Sequence, residues 1–427
     1  MNPIFSNILL IFVTFYLMSA SYLKFNKSIF ITPLVMPQLT FIISFYTVIS
    51  LYKEGSIENK VFLIILSQFI IFFIAYSISP LLIKKRFFNF SNYVHIKKLD
   101  FQMAKFLFYS NLLIGLIYAS LLWGSYSYGD ERLLLNRELR SLSIVTMLFN
   151  IWAVSMISLV YAKTGIKRYF IYFIATLAIS SIMGSKGGAL ASLFIFAFFY
   201  FQFNEIKLKN KLIFSAAILL SLFLPTYLTY GVDFVQIIVH RVLMAGDIYF
   251  WAFKIGDYSQ LVGYYDPFMY LIHPFSALIG IRGYEYPLGA QILSTAGMPV
   301  SGMGPNAHMT ILSLVFFNDG AASAILFALF VAFLSIVSFL FAFYVMRRTK
   351  IHLLFRLLIF TMLYTNFMTP FVDIGMYQFQ IIILLLASFI YFILLLLIKS
   401  STKHTEEVQC NASERLDCHL QNKPRSI

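Results

Sequence analysis

The sequence predicts an all-α, polytopic integral membrane protein with about 11 (10–12) transmembrane helices and one large loop on the outer face. Of its 427 residues, 60% are hydrophobic and only 12% are charged. The apolar residues form continuous runs instead of alternating with polar ones, which favours helices over a closed barrel. Most Lys and Arg residues fall in every second gap between these runs, where cytoplasmic loops carry them. The net charge of +14 therefore does not indicate nucleic-acid binding.

Each predicted span is an apolar run close to the length that a bilayer requires, which is about 20 helical residues. The first run, Ile4 to Leu23, lacks a basic leader and a small-residue cleavage site, so we expect a retained helix and not a signal peptide. The eleven predicted spans are 4–23, 33–52, 61–83, 103–123, 143–162, 168–183, 188–204, 211–230, 322–346, 353–371 and 375–398.

The distribution of cations predicts the orientation. Twenty-three of the 32 Lys and Arg residues lie in one set of alternate gaps and in the C-terminal tail, and nine lie in the other set. The first set is expected to be cytoplasmic, which places the N-terminus outside. The few cations left on the outer face then require an explanation, because the positive-inside bias disfavours them there.

Four regions follow from these spans. Residues 1–230 form a membrane bundle of about eight helices, 231–321 a large periplasmic loop, 322–398 the last transmembrane helices, and 399–427 a polar cytoplasmic tail predicted to be disordered. Both cysteines, Cys410 and Cys418, lie in that tail, so no disulfide is expected in the exported loops.

The large loop is expected to contain short helices on or within the membrane surface. Its stretches Phe234 to Phe253 and Met269 to Ile281 are amphipathic. The segment 306–318 is apolar but too short to span the bilayer, which favours a re-entrant or interfacial element. A loop of about ninety residues is uncommon without a function.

The turn Gly184 to Gly188 separates two apolar stretches that are both short for a span. Its glycines permit a tight turn, and free backbone N–H groups with Lys186 would form an anion site. The alternative is a plain hairpin turn with a snorkelling lysine. The spacing is not that of a P-loop.

Three outer-face arginines have two interpretations each. Arg137 and Arg140 share one helix face, either as part of a solvated helix with internal salt bridges or as a fork for phosphate. Arg241 precedes Gly246 and Asp247, and it forms either a structural ion pair with Asp247 or part of a functional site.

The later part of the loop contains residues suited to a glycan or to proton transfer. Tyr264 and Tyr284 could stack on sugar rings, and Glu285 could accept hydrogen bonds from sugar hydroxyls. Tyrosines are, however, also common at membrane interfaces. His308 stands at the mouth of the short apolar segment, either as a structural residue or as a general base near neutral pH.

Three stretches resemble the Wzy-type O-antigen polymerases, the oligosaccharide repeat-unit polymerases of bacterial envelopes. Gly-Ser-Lys-Gly-Gly-Ala-Leu at 184–190 is similar to the family's Gly-Ser-Arg-Gly-Ala-Leu, with Lys186 in place of the usual arginine. Arg241 with Gly246, Asp247 and Tyr249 is similar to its Arg…Gly-Asp…Tyr stretch, and 304–320 to a short segment late in its large loop. Related O-antigen ligases carry a His with a nearby Asn there, which His308 and Asn306 would match.

The resemblance implies an enzyme of the inner membrane whose substrates are glycan repeat units linked by pyrophosphate to undecaprenol, with the active face periplasmic. It implies no metal and no cofactor, because the lipid pyrophosphate is the leaving group. Membrane lipids surround it, and a chain-length regulator and a flippase of the same pathway are its expected partners. The implied roles are pyrophosphate binding by Arg241, Lys186, Arg282, Arg137 and Arg140, general base catalysis by His308 with Asp247 or Glu285 in reserve, and glycan binding by Tyr264, Tyr284, Glu285 and Asn306.

Two other functions fit parts of the pattern. An O-antigen ligase, which joins finished polymer to the lipid A core, would share the loop and its cations. A flippase for the same lipid-linked glycan would be expected to place charges at mid-bilayer and to show paired repeats.

Overall fold

The computed structural model describes residues 35–82, 93–122, 140–182, 186–204, 246–278, 288–298, 306–365 and 369–389, the last two ranges with short gaps, and isolated positions between 207 and 217. At several helix ends, including 35–40, 181–182, 186–190 and 274–278, only the backbone is described. The chain divides into two compact units, Met1–Ile381 and Ile382–Ile427. All elements below belong to the first unit.

The described elements are all helical, as the composition predicts. Four helices are long and apolar enough to cross a membrane, at Asn59–Leu82, Lys98–Leu121, Val145–Thr164 and Ala321–Arg347. They coincide with the predicted spans 61–83, 103–123, 143–162 and 322–346. The larger helices are α1 (Val35–Lys53), α2 (Asn59–Ile78), α3 (Lys98–Leu122), α4 (Arg140–Thr164), α5 (Lys167–Ile182), α6 (Lys186–Phe203), and, after the loop, α11 (Ala321–Arg347) and α12 (Leu353–Thr365).

Helix α4 is the centre of one group of helices. It packs against α3, α5, α6 and α12. Ala153, Met156 and Leu159 on this helix have no exposed surface. The indole Nε1 of Trp152 donates a hydrogen bond of 2.9 Å to the carbonyl oxygen of Leu354, which ties α4 to the start of α12.

Polar side chains join three of these helices inside the apolar bundle. The Oδ1 atom of Asn150 on α4 accepts hydrogen bonds from Asn111 Nδ2 on α3 at 3.4 Å and from Ser180 Oγ on α5 at 2.9 Å. All three residues are buried. In lipid such contacts hold helices together where apolar side chains gain little by leaving the hydrocarbon.

Replacing Asn150 by Leu should therefore destabilise the bundle by about 1–2 kcal/mol, because two interhelical bonds of about 0.6 kcal/mol each are lost and the amide of Asn111 loses an acceptor. Thermal unfolding of the purified protein in detergent measures the loss. Ser120→Ala is the control, since the Ser120 hydroxyl is exposed and its hydrogen bond among the described residues is to Ile117 of its own helix. Equal unfolding temperatures for the two variants would show that the Asn150 contacts contribute nothing.

Helix α11 is the centre of a second group, packing against α2, α12 and two short helices, α10 (Met309–Phe317) and α13 (Thr369–Val372). Within the predicted span 353–371 the structure describes α12 up to Thr365 and the helical residues of α13 from Thr369 to Val372, and residues 366–368 lie outside the described part of the chain. Helix α13 also contacts α1.

The predicted outer loop contains several short helices in its described part. They are α7 (Asp247–Phe250), a π-helical turn (Trp251–Ile255), a 3₁₀ turn (Tyr258–Leu261), α8 (Pro267–Leu278), α9 (Leu288–Thr295) and α10 (Met309–Phe317). Residues Met309 to Phe316 of α10 are all buried, so this segment is enclosed by protein and does not lie on a surface. Helix α10 ends at Asn318, whose φ of 45° is a left-handed conformation that asparagine tolerates.

Candidate functional site

The segment that begins at Gly246 packs closely on helix α1. An ideal Cβ at Gly246 would lie 2.3 Å from Thr47 Oγ1 and 2.6 Å from Thr47 Cβ. Helix α7 also contacts α1. The glycine before Asp247 is therefore required by packing, and it places Tyr249 in the interior two residues after Asp247.

Substituting Gly246 by Ala should destabilise the protein by about 1–3 kcal/mol through overpacking against α1. Thr47→Gly removes both clashing atoms and should recover part of this loss, reduced by about 1 kcal/mol for a glycine within a helix. Thr47→Ala keeps the Cβ and should recover less. Thermal unfolding of the full-length variants measures the series. A Gly246→Ala protein as stable as the wild type would show that this contact is absent.

His308 immediately precedes helix α10 and is 1% exposed. Its carbonyl oxygen accepts the hydrogen bond of Leu312 N at 3.0 Å, while its side chain does not cap the helix. The imidazole therefore does not cap α10, and it lies in the interior of the protein.

The imidazole meets the Gly246–Tyr249 segment there. The hydroxyl of Tyr249 lies 3.2 Å from His308 Nδ1 and 2.5 Å from Thr310 Oγ1, so the three side chains form a hydrogen-bonded row. The two rings are 5.2 Å apart and nearly perpendicular. Because a phenol has one proton, Tyr249 either donates to the imidazole and accepts from Thr310, or the reverse.

Burial keeps Tyr249 protonated. Its hydroxyl is fully enclosed, which raises its pKa far above the ordinary value, and the hydrogen bond with Thr310 offsets only part of the rise. Tyr249 is therefore a neutral partner for His308, able to orient the ring without changing the charge of the site.

Aromatic rings enclose this row. Phe371 of α13 lies 5.7 Å from the His308 ring, and Phe69 of α2 lies 6.3 Å from Tyr249 and 5.2 Å from Phe371. Phe41 and Phe72 pack on Phe371 at 4.9 and 4.7 Å. Such a wall lowers the local dielectric and strengthens polar interactions with His308.

Gln68 fixes helix α10 from the other side. Its Nε2 donates to Ser313 Oγ at 2.7 Å and to the carbonyl oxygen of Ala324 at 3.3 Å, joining α2 to both α10 and α11. Gln68 has no exposed surface, and its Oε1 has no hydrogen-bond partner among the described residues. An intramembrane amide of this kind holds α10 and, with it, His308 in register.

Three further candidates belong to the described part: Asp247 and Asn306 lie two residues from members of this row in the sequence, and Tyr264 lies farther away. Asp247 is half-buried at the start of α7, and Asn306 is exposed two residues before His308. Tyr264 is 52% exposed and its ring packs on Tyr265, which continues through Tyr270 to Phe316. Tyr264 therefore lies toward the far end of α10, about 12 Å along the helix from His308.

The predicted cation site is only partly described. Lys186 is the first residue of α6 and Arg140 the first of α4, and only their backbones are described. Five candidates lie outside the described residues: Arg137, Arg241, Arg282, Tyr284 and Glu285.

Sequence reasoning assigned no role to Tyr249, Thr310, Gln68 or Phe371. Tyr249 stood within the Gly-Asp…Tyr stretch, which was a usable signal. Gln68 and Thr310 interrupt apolar runs, and a polar residue inside such a run is itself a signal for a functional or helix-joining contact.

An exposed ion pair also joins the segment after α7 to the end of α1. Lys254, in the π-helical turn after α7, pairs with Glu54 at the end of α1 with an N–O distance of 2.6 Å. Their side chains are 44% and 51% exposed. Single-turn π-helices occur frequently at functional sites.

No family model, no curated protein and no solved structure matches this chain.

Proposed function

We propose that this protein polymerises undecaprenyl-pyrophosphate-linked oligosaccharide repeat units at the periplasmic face of the inner membrane. One observation carries the proposal. Two stretches that resemble the Wzy-type polymerases, Gly246–Tyr249 and 304–320, are joined by the hydrogen bond between Tyr249 and His308. Residues 59 positions apart in a loop otherwise rich in aromatic side chains meet at a histidine.

The reaction needs two kinds of group. A hydroxyl of the acceptor unit attacks the anomeric carbon of the growing chain, its proton passes to a base, and the bond from that carbon to the lipid pyrophosphate breaks. Undecaprenyl pyrophosphate leaves with the electron pair. The protein must accept the proton and stabilise the leaving pyrophosphate.

The residues divide between these needs. His308 is the proposed general base, with Asp247 and Glu285 in reserve. Arg241, Lys186 and Arg282 are the proposed pyrophosphate ligands, and Arg137 and Arg140 are weaker candidates. Tyr264, Tyr284 and Asn306 are proposed to contact sugar, and Tyr249 to position the imidazole.

The burial of His308 adds a requirement. At 1% exposure, its ring cannot reach two lipid-linked glycans in the closed arrangement. The proposed reaction therefore requires the segment from Gly246 to move away from α10, and the weak ion pair between Lys254 and Glu54 is suited to such a motion.

The glycan profile of a deletion strain tests the function directly. Single repeat units on the lipid A core support the polymerase, because one unit still reaches the surface without chain extension. Lipid-linked polymer that accumulates without transfer would indicate the ligase instead. Repeat units retained on the cytoplasmic side would indicate the flippase.

The variant Arg241→Ala tests the site within the same assay. It should give single-unit glycan with normal protein in the membrane, because the leaving pyrophosphate loses a cation. Normal long chains would remove Arg241 from the site.

A further inference from the structure

Cations from three helices converge on one short piece of backbone before helix α3. Arg356 of α12 donates from Nη1 to the carbonyl oxygens of Tyr93 at 3.2 Å and Met346 at 2.8 Å. Lys163 of α4 donates from Nζ to the carbonyl oxygen of Val94. The guanidinium of Arg347, at the end of α11, lies 5.7 Å from the centre of the Tyr93 ring. We call this place the Tyr93 corner.

Among the described residues, the Tyr93 corner contains more cations than carboxylates. The carboxylate is Asp100, which is 3% exposed and accepts a hydrogen bond from the backbone N of Lys97 at 2.7 Å. Arg356 interacts electrostatically with Asp100, while Lys163 and Arg347 lie at the neighbouring residues Val94 and Tyr93. Lys163 and Arg356 donate to backbone carbonyl oxygens, which bring no negative charge to the corner.

His352, between α11 and α12, does not add to the excess near neutral pH. Burial lowers the pKa of its imidazole. Asp100 opposes this shift, and Arg356 and Lys97 reinforce it. The charge of the corner is thus set by lysine and arginine.

The cations of the corner have different exposures. Arg356 is only 4% exposed and its Nε has no hydrogen-bond partner among the described residues, so it forms the floor of the corner. Lys97 and Lys163 are exposed and Arg347 is half-buried, so they form an accessible rim. Such a rim can hold a phosphate group through charge-assisted hydrogen bonds from two cations to its oxygens.

An exposed apolar stripe on α11 ends at Arg348, the residue after Arg347. Val337, Phe341 and Tyr344 of α11 are 42%, 47% and 48% exposed, and they share a helix face with Arg348, whose guanidinium lies 4.3 Å from the Tyr344 ring. The end of α11 therefore passes from exposed rings to cations within one helical turn. A ligand there would have a hydrocarbon part beside the stripe and an anionic part at the rim.

We propose that the Tyr93 corner binds the phosphate headgroup of an anionic phospholipid, with Lys163, Arg347 and Lys97 on the phosphate. Basic pockets between transmembrane helices on the cytoplasmic side hold such headgroups. The orientation predicted from the cations places all of these residues on that side. The site is independent of the glycan chemistry at His308.

The probe is phosphatidylglycerol, added to the full-length protein in neutral detergent, with native mass spectrometry counting bound lipid. The wild type should retain phosphatidylglycerol in preference to phosphatidylcholine. Lys163→Ala with Arg347→Ala should weaken its binding about 30-fold, from about tenfold per 1.4 kcal/mol and about one kcal/mol per cation. Lys53→Ala with Lys60→Ala removes two exposed cations at the opposite helix ends and should change binding less than about threefold.

Further arms keep the result decisive. The double variant Lys163→Arg with Arg347→Lys preserves the charge and should retain the lipid. If the double alanine variant fails to fold, the single variants Lys163→Gln and Arg347→Gln are compared with this charge-preserving protein instead. Equal retention of the two lipids by the wild type, or equal loss in the Lys53 and Lys60 control, would overturn the proposal. Displacement of the lipid by excess inorganic phosphate would also overturn it, because the site would then recognise free phosphate.

Discussion

The variant His308→Gln is expected to leave only single repeat units on the cell surface. Glutamine retains a hydrogen-bonding group near Tyr249, but it cannot accept a proton at neutral pH. Loss of a general base lowers the rate by about 10²–10⁴-fold, which is enough to stop chain extension. The measurement is the length distribution of the surface glycan, with the amount of protein in the membrane determined in the same cells.

The matched control is His95→Gln, the same substitution at an exposed histidine before helix α3. It should leave long chains unchanged. Long chains of normal length in the His308→Gln strain would exclude His308 as the base, and Asp247 would then be the next residue to replace.

Tyr249→Phe separates positioning from proton transfer. It keeps the ring contacts with His308 and Phe69 but removes the hydroxyl that contacts His308 and Thr310. A buried group left without its partner costs about 1–3 kcal/mol, so polymerisation should fall by about tenfold to a hundredfold, less than in His308→Gln.

The pH profile of polymerisation is the second measurement, because it should not change if Tyr249 has a purely structural role. In Tyr249→Phe the limb that reports the base should shift relative to the wild type, while in Thr310→Val, which leaves the His308 contact in place, it should shift less. Coincident profiles for all three proteins would limit Tyr249 to packing.

The helices could be predicted because lipid leaves the backbone few alternatives. A continuous apolar run must satisfy its own hydrogen bonds, and the four long helices follow from that constraint. The end of the predicted span 353–371 stays a prediction, because residues 366–368 lie outside the described part of the chain.

The candidate site was only half predictable. His308 stands out in sequence because it precedes a short apolar segment, but its partner depends on how the loop folds back. Tyr249 reaches it only because Gly246 allows close contact with Thr47, and no local pattern encodes that contact. The sequence left a re-entrant and an interfacial element open at 306–318, and the burial of α10 fits the re-entrant alternative, since an apolar segment of nine residues suits a surface or a core equally well.

The second large effect is expected when the loop is prevented from opening. Holding Glu54 and Lys254 together should abolish polymerisation, because His308 stays enclosed while the segment after Gly246 rests on α1. The natural ion pair is too weak to do this: both side chains are about half exposed, and such pairs contribute about 0.2–1 kcal/mol. Glu54→Ala alone should accordingly change polymerisation by less than about fivefold.

A cleavable cross-link converts this weak contact into a lock. Glu54→Cys and Lys254→Cys are introduced with Cys410→Ser and Cys418→Ser, and a bifunctional thiol reagent about as long as the two replaced side chains joins them by reducible disulfides. Polymerisation by the purified protein in vesicles should disappear on cross-linking and return on reduction, whereas each single-cysteine protein should be unaffected by the reagent. Full activity in the cross-linked protein would mean that substrates reach the reacting base without this motion, and the enclosed His308 would then be a structural residue. Inactivity of every protein, including the reduced one, would instead count against the polymerase itself, so the two failures remain distinguishable.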